Sequence, residues 1–146
     1  MTATLPSWAG AGQRLLVVAP HPDDDVIGCG GTLFALVRSG VQPTIVYVTD
    51  GSASHPNSIK FPPPKLAALR KCEAREALRE LGVRTKPIFL DVPDGTLSEL
   101  DPSARSHVIE RLADVISSLA IDTVFGPWKH DPHPDHVATA SVLENA

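Results

Sequence analysis

Two segments of this sequence carry dense clusters of histidine and aspartate. Residues 20–25 read P-H-P-D-D-D, which places one imidazole and three carboxylates within five residues. Residues 130–136 read H-D-P-H-P-D-H, with three histidines and two aspartates within seven residues. Imidazole and carboxylate without thiolate form a ligand set that suits Zn²⁺ or another divalent first-row metal. We therefore expect a metal site to which both segments contribute.

A metal held by such ligands would support hydrolysis. A catalytic site uses three protein ligands and leaves a position for water, whose pKa Zn²⁺ lowers to about 7. A nearby carboxylate off the metal can accept the water's proton, and a protonated histidine off the metal can stabilise an oxyanion and protonate a leaving amine. The three acids could instead merely complement a helix dipole, but that explanation gives His21 and the two prolines no function.

Short apolar runs alternate with longer helical patterns along the chain, which is typical of an α/β fold. Each run is apolar almost throughout, so both faces of the sheet should be covered by helices, as in a parallel sheet. The four predicted strands are Arg14 to Ala19, Pro43 to Thr49, Lys86 to Asp91 and Asp122 to Gly126.

The connecting segments have the apolar spacing and the end signals of helices. The predicted helices are Val26 to Arg38, Lys65 to Leu81, Pro102 to about Leu119, and a fourth that opens at His133-Pro134. Right-handed crossovers would bring the C-terminal ends of all the strands, and both His/Asp segments, to one edge of the sheet. The sequence stops inside the predicted fourth helix, so we expect a single domain over residues 1–146 whose layer architecture is unfinished at the C-terminal end.

Composition narrows the class of protein further. The 146 residues are 42% hydrophobic and 21% charged with a net charge of −4, which is typical of a soluble domain and disfavours nucleic acid as a partner. No apolar stretch approaches the roughly 20 residues of a membrane span, and Met1 to Gly10 lacks the pattern of a signal peptide. We expect a cytoplasmic protein in which Cys29 and Cys72 are thiols. Self-association into a homo-oligomer stays open.

The two His-Pro-Asp segments resemble the signatures of the LmbE-like zinc-dependent de-N-acetylases, the PIG-L family. That family pairs an Ala-His-Pro-Asp-Asp-Glu type motif with a later His-x-Asp-His. The similarity extends over most of the chain and implies a Rossmann-like fold with the active site at the C-terminal edge of the strands. Its shorter matching stretches are Gly28-x-Gly30-Gly31, Thr49-Asp50-Gly51, Arg70-x-x-Glu73, Leu81-Gly82 and Pro93-Asp94-Gly95.

The resemblance also implies functions for individual residues. The zinc ligands would be His21, Asp24 and His136. Asp23 would be the general base, while His133 would stabilise the oxyanion and act as acid, oriented by Asp135. Arg70 and Asp94 would contact the substrate.

By the same resemblance, the substrate would be a small N-acetylated sugar or a glycoconjugate. Family members typically hydrolyse the acetamide of N-acetylglucosamine-containing compounds and release acetate and a free amine. The sequence departs from the family in two ways. Asp25 stands where the family usually has Glu, and the sequence stops shortly after the second motif, so we expect the domain to lack the usual C-terminal continuation.

Two other hypotheses belong to different functional classes. The chain could be a metal-binding domain that is catalytically silent, or that needs a partner chain to complete its cleft. It could also be a dinucleotide-binding module, since Gly28, Gly30 and Asp50 approximate that fingerprint. The spacing disfavours the second hypothesis, because residues 21–27 separate the strand from the first glycine and Leu33 stands where the third glycine belongs.

Overall fold

The computed structural model describes residues 12–146, so the expectation about Met1 to Gly10 lies outside the described residues. Strands and helices alternate along the chain, as predicted. In chain order the elements are β1 (Leu15–Ala19), α1 (Asp24–Arg38), β2 (Thr44–Thr49), α2 (Pro63–Glu80), β3 (Ile88–Val92), a 3-10 turn (Leu97–Glu99), α3 (Pro102–Ser118), β4 (Thr123–Phe125) and α4 (Pro134–Glu144).

The four strands form one parallel sheet in the order β3-β2-β1-β4. Strand β1 is central: Val17 pairs with Ile45 of β2 on one side and with Phe125 of β4 on the other. The predicted α/β class, the parallel pairing and the common C-terminal edge are therefore confirmed.

Alternate residues of the strands feed two separate cores. Along β1, Leu15 and Val17 face α1 and α2, whereas Leu16 and Val18 face α3 and α4. All four side chains are at most 4% exposed. The apolar runs do not alternate with polar residues because helices cover both faces of the sheet, as the sequence predicted.

The main differences from the predicted elements lie at their ends. Helix α1 begins at Asp24 instead of Val26, because the carbonyl of Asp23 already accepts the N–H groups of Val26 and Ile27. Helix α2 begins two residues earlier than predicted, since Pro63 is acceptable in a first helical turn, where no N–H is required. Strand β3 is shifted towards Val92, which pairs with Thr49 beyond a local register shift.

The predicted starts of the last two helices are confirmed. The carboxylate of Asp101 accepts the N–H groups of Ser103 and Ala104 at 2.8 and 2.9 Å and caps α3. His133 caps α4, directly before Pro134. Among the residues that the structure describes, no helix combines the length and the apolar character needed to cross a bilayer.

Candidate functional site

The loop after β1 is folded into a tight turn that presents His21 and Asp24 together. The carbonyl of His21 accepts the N–H of Asp23 at 2.9 Å, and the Asp24 carboxylate accepts the N–H of His21 at 2.9 Å. Because Pro22 fixes its own φ and has no N–H to satisfy, the turn closes without an unpaired donor at its second residue. The side chains of His21 and Asp24 therefore meet above the end of β1.

Asp24 lies between two histidines that come from opposite ends of the sequence. Its Oδ2 atom is 3.0 Å from Nδ1 of His21 and 3.2 Å from Nε2 of His136. Ligands held tetrahedrally at about 2.0–2.1 Å from one zinc ion are separated by about 3.3–3.4 Å. The two separations are close to that value, so the donor atoms of His21, Asp24 and His136 fit a single small cation.

The other nitrogen of His21 faces carboxylates. Nε2 lies 3.1 Å from Oδ1 of Asp94 and 3.3 Å from Oδ2 of Asp135. Burial alone would lower the pKa of His21, but contacts with Asp24 and Asp94 outweigh it and raise the pKa to about 10. Carboxylates on the far side of a metal-binding imidazole fix its orientation and tautomer, and Asp94 and Asp135 are placed to do this for His21.

His136 has a similar arrangement, with Asp131 on its far side. Oδ2 of Asp131 lies 3.3 Å from Nδ1 of His136, while Oδ1 accepts the N–H of His133 at 2.8 Å. The bond from the His133 N–H and the two nearby histidines hold the pKa of Asp131 below its usual range. The sequence includes Asp131 in the second His/Asp cluster without assigning it a contact, and the structure shows that it contacts the ring of His136 and the N–H of His133.

His133 is held by the backbone of α4. Its Nδ1 accepts the N–H of Asp135 at 3.2 Å, which is the N-cap bond of the helix. An accepting Nδ1 carries no proton, so neutral His133 has its proton on Nε2. The carboxylate of Asp135 is instead directed to His21 and to the N–H of Gly95, which it accepts at 2.8 Å. In this structure Asp135 therefore contacts His133 through its backbone N–H.

Asp23 is paired with Arg70, which projects from α2. The Nη2 of Arg70 lies 2.5 Å from Oδ2 of Asp23, and its Nη1 is 3.6 Å from Glu73. Gly51 allows this approach: its φ is +69°, and a Cβ there would lie 3.1 Å from Cδ of Pro22 and 3.5 Å from Cγ of Arg70. Arg70 thus reaches the site, where its guanidinium contacts Asp23 and Glu73, and its contact with substrate stays a prediction.

Asp50 connects the loops that follow β2 and β3. Its Oδ1 accepts the N–H of Ser52 at 2.9 Å and that of Asp94 at 3.1 Å. Asp94 in turn accepts the N–H of Ala53 at 2.9 Å, so both loops are fixed against each other. In the sequence, Asp50 belongs to the matching stretch Thr49-Asp50-Gly51 and has a proposed function only in the dinucleotide hypothesis. Its signal was its position directly after a strand and before a glycine.

Asp25 points away from these residues and into the interior. It is 2% exposed, and its Oδ2 accepts the hydroxyl of Tyr47, a fully buried residue of β2, at 2.9 Å. Burial raises the pKa of Asp25, although the bond from Tyr47 opposes that shift. The carboxylate thus anchors the first turn of α1 to the sheet.

Asp24 and His136 line two separate cavities. The more polar one has a volume of about 420 Å³ and is also lined by His21, Asp23, Arg70 and His133. The other, of about 620 Å³, lies beside β4 and has walls that include Ile27, Phe125 and Trp128. Volumes of this size accommodate small molecules. Seven of the eight residues predicted for the site line the polar cavity, and the eighth, Asp135, contacts His21.

Within residues 12–146, two triplets have ligand atoms close enough for a metal, namely His21, Asp24, His136 and His21, His133, Asp135. The first is the better candidate, because Asp135 is fully buried and accepts the N–H of Gly95, and His133 already caps α4. The first turn of α1 contains Asp24 and Asp25. Two carboxylates at that position also disfavour the dinucleotide hypothesis, since a pyrophosphate would meet negative charge there.

A parallel α/β sheet with a His/Asp cluster at its C-terminal edge defines a Rossmann-like protein with a candidate site for one metal ion. The sequence profile of the PIG-L family, described as GlcNAc-PI de-N-acetylase, matches residues 16–146. The chain belongs to that family, which confirms the resemblance inferred from the two motifs.

Individual relatives support the same assignment. A probable N-acetyl-alpha-D-glucosaminyl L-malate deacetylase 2 from Bacillus anthracis is 30% identical over 139 residues, covering 92% of this chain and 59% of the relative. The structure of N,N'-diacetylchitobiose deacetylase from Pyrococcus horikoshii matches with a TM-score of 0.78 and 35% identity, covering 91% of this chain and 49% of that one. The chain thus spans about half to three-fifths of the length of these relatives.

The fold also occurs in a protein with different chemistry. The 4-carboxy-2-hydroxymuconate hydratase from Pseudomonas putida matches with a TM-score of 0.76 and 23% identity, covering 90% of this chain and 54% of that one. This likeness concerns the fold alone. The fold alone therefore does not determine the reaction, which depends on the residues of the site.

Proposed function

We propose that this protein is a zinc-dependent hydrolase that removes the acetyl group from an N-acetylglucosamine-containing small molecule or glycoconjugate. The observation that carries the proposal is the meeting of His21, Asp24 and His136 beside Asp23 and His133 in one cavity of about 420 Å³. Membership of the family and the deacetylase activities for which the two relatives are named support the same reaction.

The donor set fits Zn²⁺, and His21, Asp24 and His136 would hold it. When bound, the ion acts as a Lewis acid and lowers the pKa of a water molecule at its open position to about 7. Another divalent first-row metal would satisfy the same nitrogen and oxygen donors.

Asp23 and His133 would handle the protons and the developing charge. The carboxylate of Asp23, which Arg70 holds at 2.5 Å, is placed to accept the proton of the attacking water. As the C–O bond forms and the C–N bond breaks, the leaving nitrogen takes up a proton and departs as an amine. Because Nδ1 of His133 accepts the helix N–H, its Nε2–H is the donor available to the carbonyl oxygen as negative charge develops there.

The N-cap bond of α4 restricts the ability of His133 to act as the acid. A His133 protonated on both nitrogens would have to give up the bond from the N–H of Asp135. We therefore favour Asp23 as the group that returns the proton to the leaving nitrogen, with His133 stabilising the oxyanion. The same residues remain in the proposed site, but the proton of the attacking water then reaches the leaving nitrogen through the carboxylate of Asp23.

Arg70 and Asp94 are the residues we propose for contact with the sugar. Both line the polar cavity together with Ser54 and Gly95. Guanidinium and carboxylate groups bind the hydroxyls of a sugar through charge-assisted hydrogen bonds. Arg70 would then contact both the bound sugar and Asp23.

The direct test is hydrolysis by the zinc-loaded protein of diacetylchitobiose and N-acetylglucosaminyl L-malate, the compounds named for its relatives. We expect acetate and a primary amine in equal amounts, loss of activity with a chelator, and recovery when zinc is restored. Zinc binding without release of acetate from any N-acetylglucosamine conjugate would instead support the second hypothesis, a metal-binding domain that is silent or needs a partner chain.

A further inference from the structure

The side chain of Asp131 contacts two parts of the proposed site at once. One oxygen, Oδ1, accepts the N–H of His133 at 2.8 Å, and the other, Oδ2, lies 3.3 Å from Nδ1 of His136. The N–H of Asp131 itself donates to the carbonyl of Trp128 at 3.1 Å, so the residue lies in a hydrogen-bonded turn. Its position is thus fixed by the backbone on both sides.

The geometry of His136 gives this contact a function. Its Nε2 faces Asp24 at 3.2 Å, so Nδ1 must carry the ring's proton whenever Nε2 binds a metal. A carboxylate that accepts this proton stabilises the required tautomer, holds the plane of the ring and makes the imidazole a better ligand. Asp94 and Asp135 lie in the same relation to His21 at 3.1 and 3.3 Å.

We propose that Asp131 is a positioning residue for the metal ligand His136, with Oδ2 holding the ring so that Nε2 faces the metal. This inference rests on the proposed function, because it requires His136 to be a ligand. Neither of the two motifs includes Asp131. Its other contact, from the N–H of His133, is a structural one that starts α4, and the experiment must separate the two.

The isosteric substitution Asp131→Asn separates them. The side-chain carbonyl of asparagine can still accept the N–H of His133, but its NH₂ group cannot accept the Nδ1–H of His136. We expect the remaining oxygen to stay on the shorter, 2.8 Å bond. Asp131→Ala removes both contacts. Asp122→Asn is the matched control, since this exposed carboxylate pairs with Arg14 at 3.6 Å on the far end of β1.

The measurements are the dissociation constant for Zn²⁺, by competition with a chelating dye, and the melting temperature of the metal-free protein. We expect Asp131→Asn to weaken zinc binding about 10–100-fold, the range typical of such outer contacts, with an unchanged melting temperature. Asp131→Ala should weaken binding by a similar factor and also lower the melting temperature. Asp122→Asn should bind zinc like the wild type.

Equal zinc affinity in Asp131→Asn and the wild type would overturn the assignment of Asp131 while leaving the proposed function intact. A wild-type protein that binds no zinc would overturn both. The Nδ1–H resonance of His136 in the zinc-loaded protein provides a second readout. We expect it to shift in Asp131→Asn, whereas a purely structural Asp131 would leave it in place.

Discussion

Oδ2 of Asp24, in the first turn of α1, lies 3.2 Å from Nε2 of His136, in the first turn of α4, although most of the chain separates the two residues. The contact exists because β1 and β4 are parallel neighbours in the sheet. The loops that follow two such strands emerge at the same edge, and the helices that they open begin side by side.

Asp23→Asn should abolish most of the hydrolysis and leave zinc binding unchanged. Asparagine keeps the shape of the side chain but cannot accept the proton of the attacking water, and general-base catalysis is worth about 10²–10⁴-fold. The rate of acetate release and the zinc content together check this expectation, with Asp122→Asn as a control on the surface. Loss of zinc from Asp23→Asn would show that Asp23 is a ligand and would remove it as the base.

Zinc affinity should increase with pH. His21 has a pKa raised to about 10, because its contacts with Asp24 and Asp94 outweigh the effect of burial, so the metal-free ring is protonated at neutral pH. Binding through Nδ1 must displace that proton, and each proton displaced makes the affinity about tenfold weaker per unit of decreasing pH. Calorimetric titration in buffers of different ionisation enthalpy would count the protons released. A pH-independent affinity between about pH 6 and pH 9 would contradict His21 as a ligand.

The same shift predicts how the metal-free protein responds to pH. Since the pKa of His21 is higher in the folded state than its ordinary value of 6.5, its contribution to stability is complete below about pH 6.5 and is lost as the pH rises through about 10. Denaturant unfolding of the chelator-treated protein should show that loss. His21→Gln should flatten the dependence, whereas the exposed His107→Gln on α3 should not.

Tyr47→Phe should destabilise the protein by about 1–3 kcal/mol at neutral pH, the usual cost of leaving a buried polar group without its partner. The phenol donates to Oδ2 of the buried Asp25. Because burial raises the pKa of Asp25, the cost should shrink as the pH falls through that pKa and the carboxyl becomes neutral. Chemical denaturation across pH measures both effects. If Asp25 and Tyr47 act as a pair, the effects of substituting them are not additive. Tyr47→Phe should then cost less stability in an Asp25→Asn background.

Gly51→Ala should lower activity by more than its loss of stability alone would cause. Its left-handed backbone costs an alanine about 1–2 kcal/mol, and its Cβ would press on Pro22, which lies between His21 and Asp23. Gly40→Ala is the matched control, because its φ is +96° and a Cβ there meets no atom within 4 Å. Both variants should lose stability, but only Gly51→Ala should lose about tenfold or more in kcat/KM.

The sequence predicted the strands and the two chemical loops because their signals are local. A run such as Leu15–Ala19 is apolar throughout and must be buried on both faces. The two His-Pro-Asp tripeptides are visible in the sequence itself. It could not predict that Asp25 would turn inward to Tyr47, or that Asp50 would join two loops. Those contacts depend on the register between strands and on side-chain directions, which sequence spacing does not encode. The contact between Asp131 and the ring of His136 could not be predicted for the same reason.

The most direct test of the account is a crystal structure of the zinc-loaded protein with anomalous scattering measured on both sides of the zinc absorption edge. We predict one zinc ion bonded at about 2.0–2.2 Å to Nδ1 of His21, a carboxylate oxygen of Asp24 and Nε2 of His136. An empty site in crystals grown with excess zinc, or a zinc ion held by other side chains, would contradict this assignment.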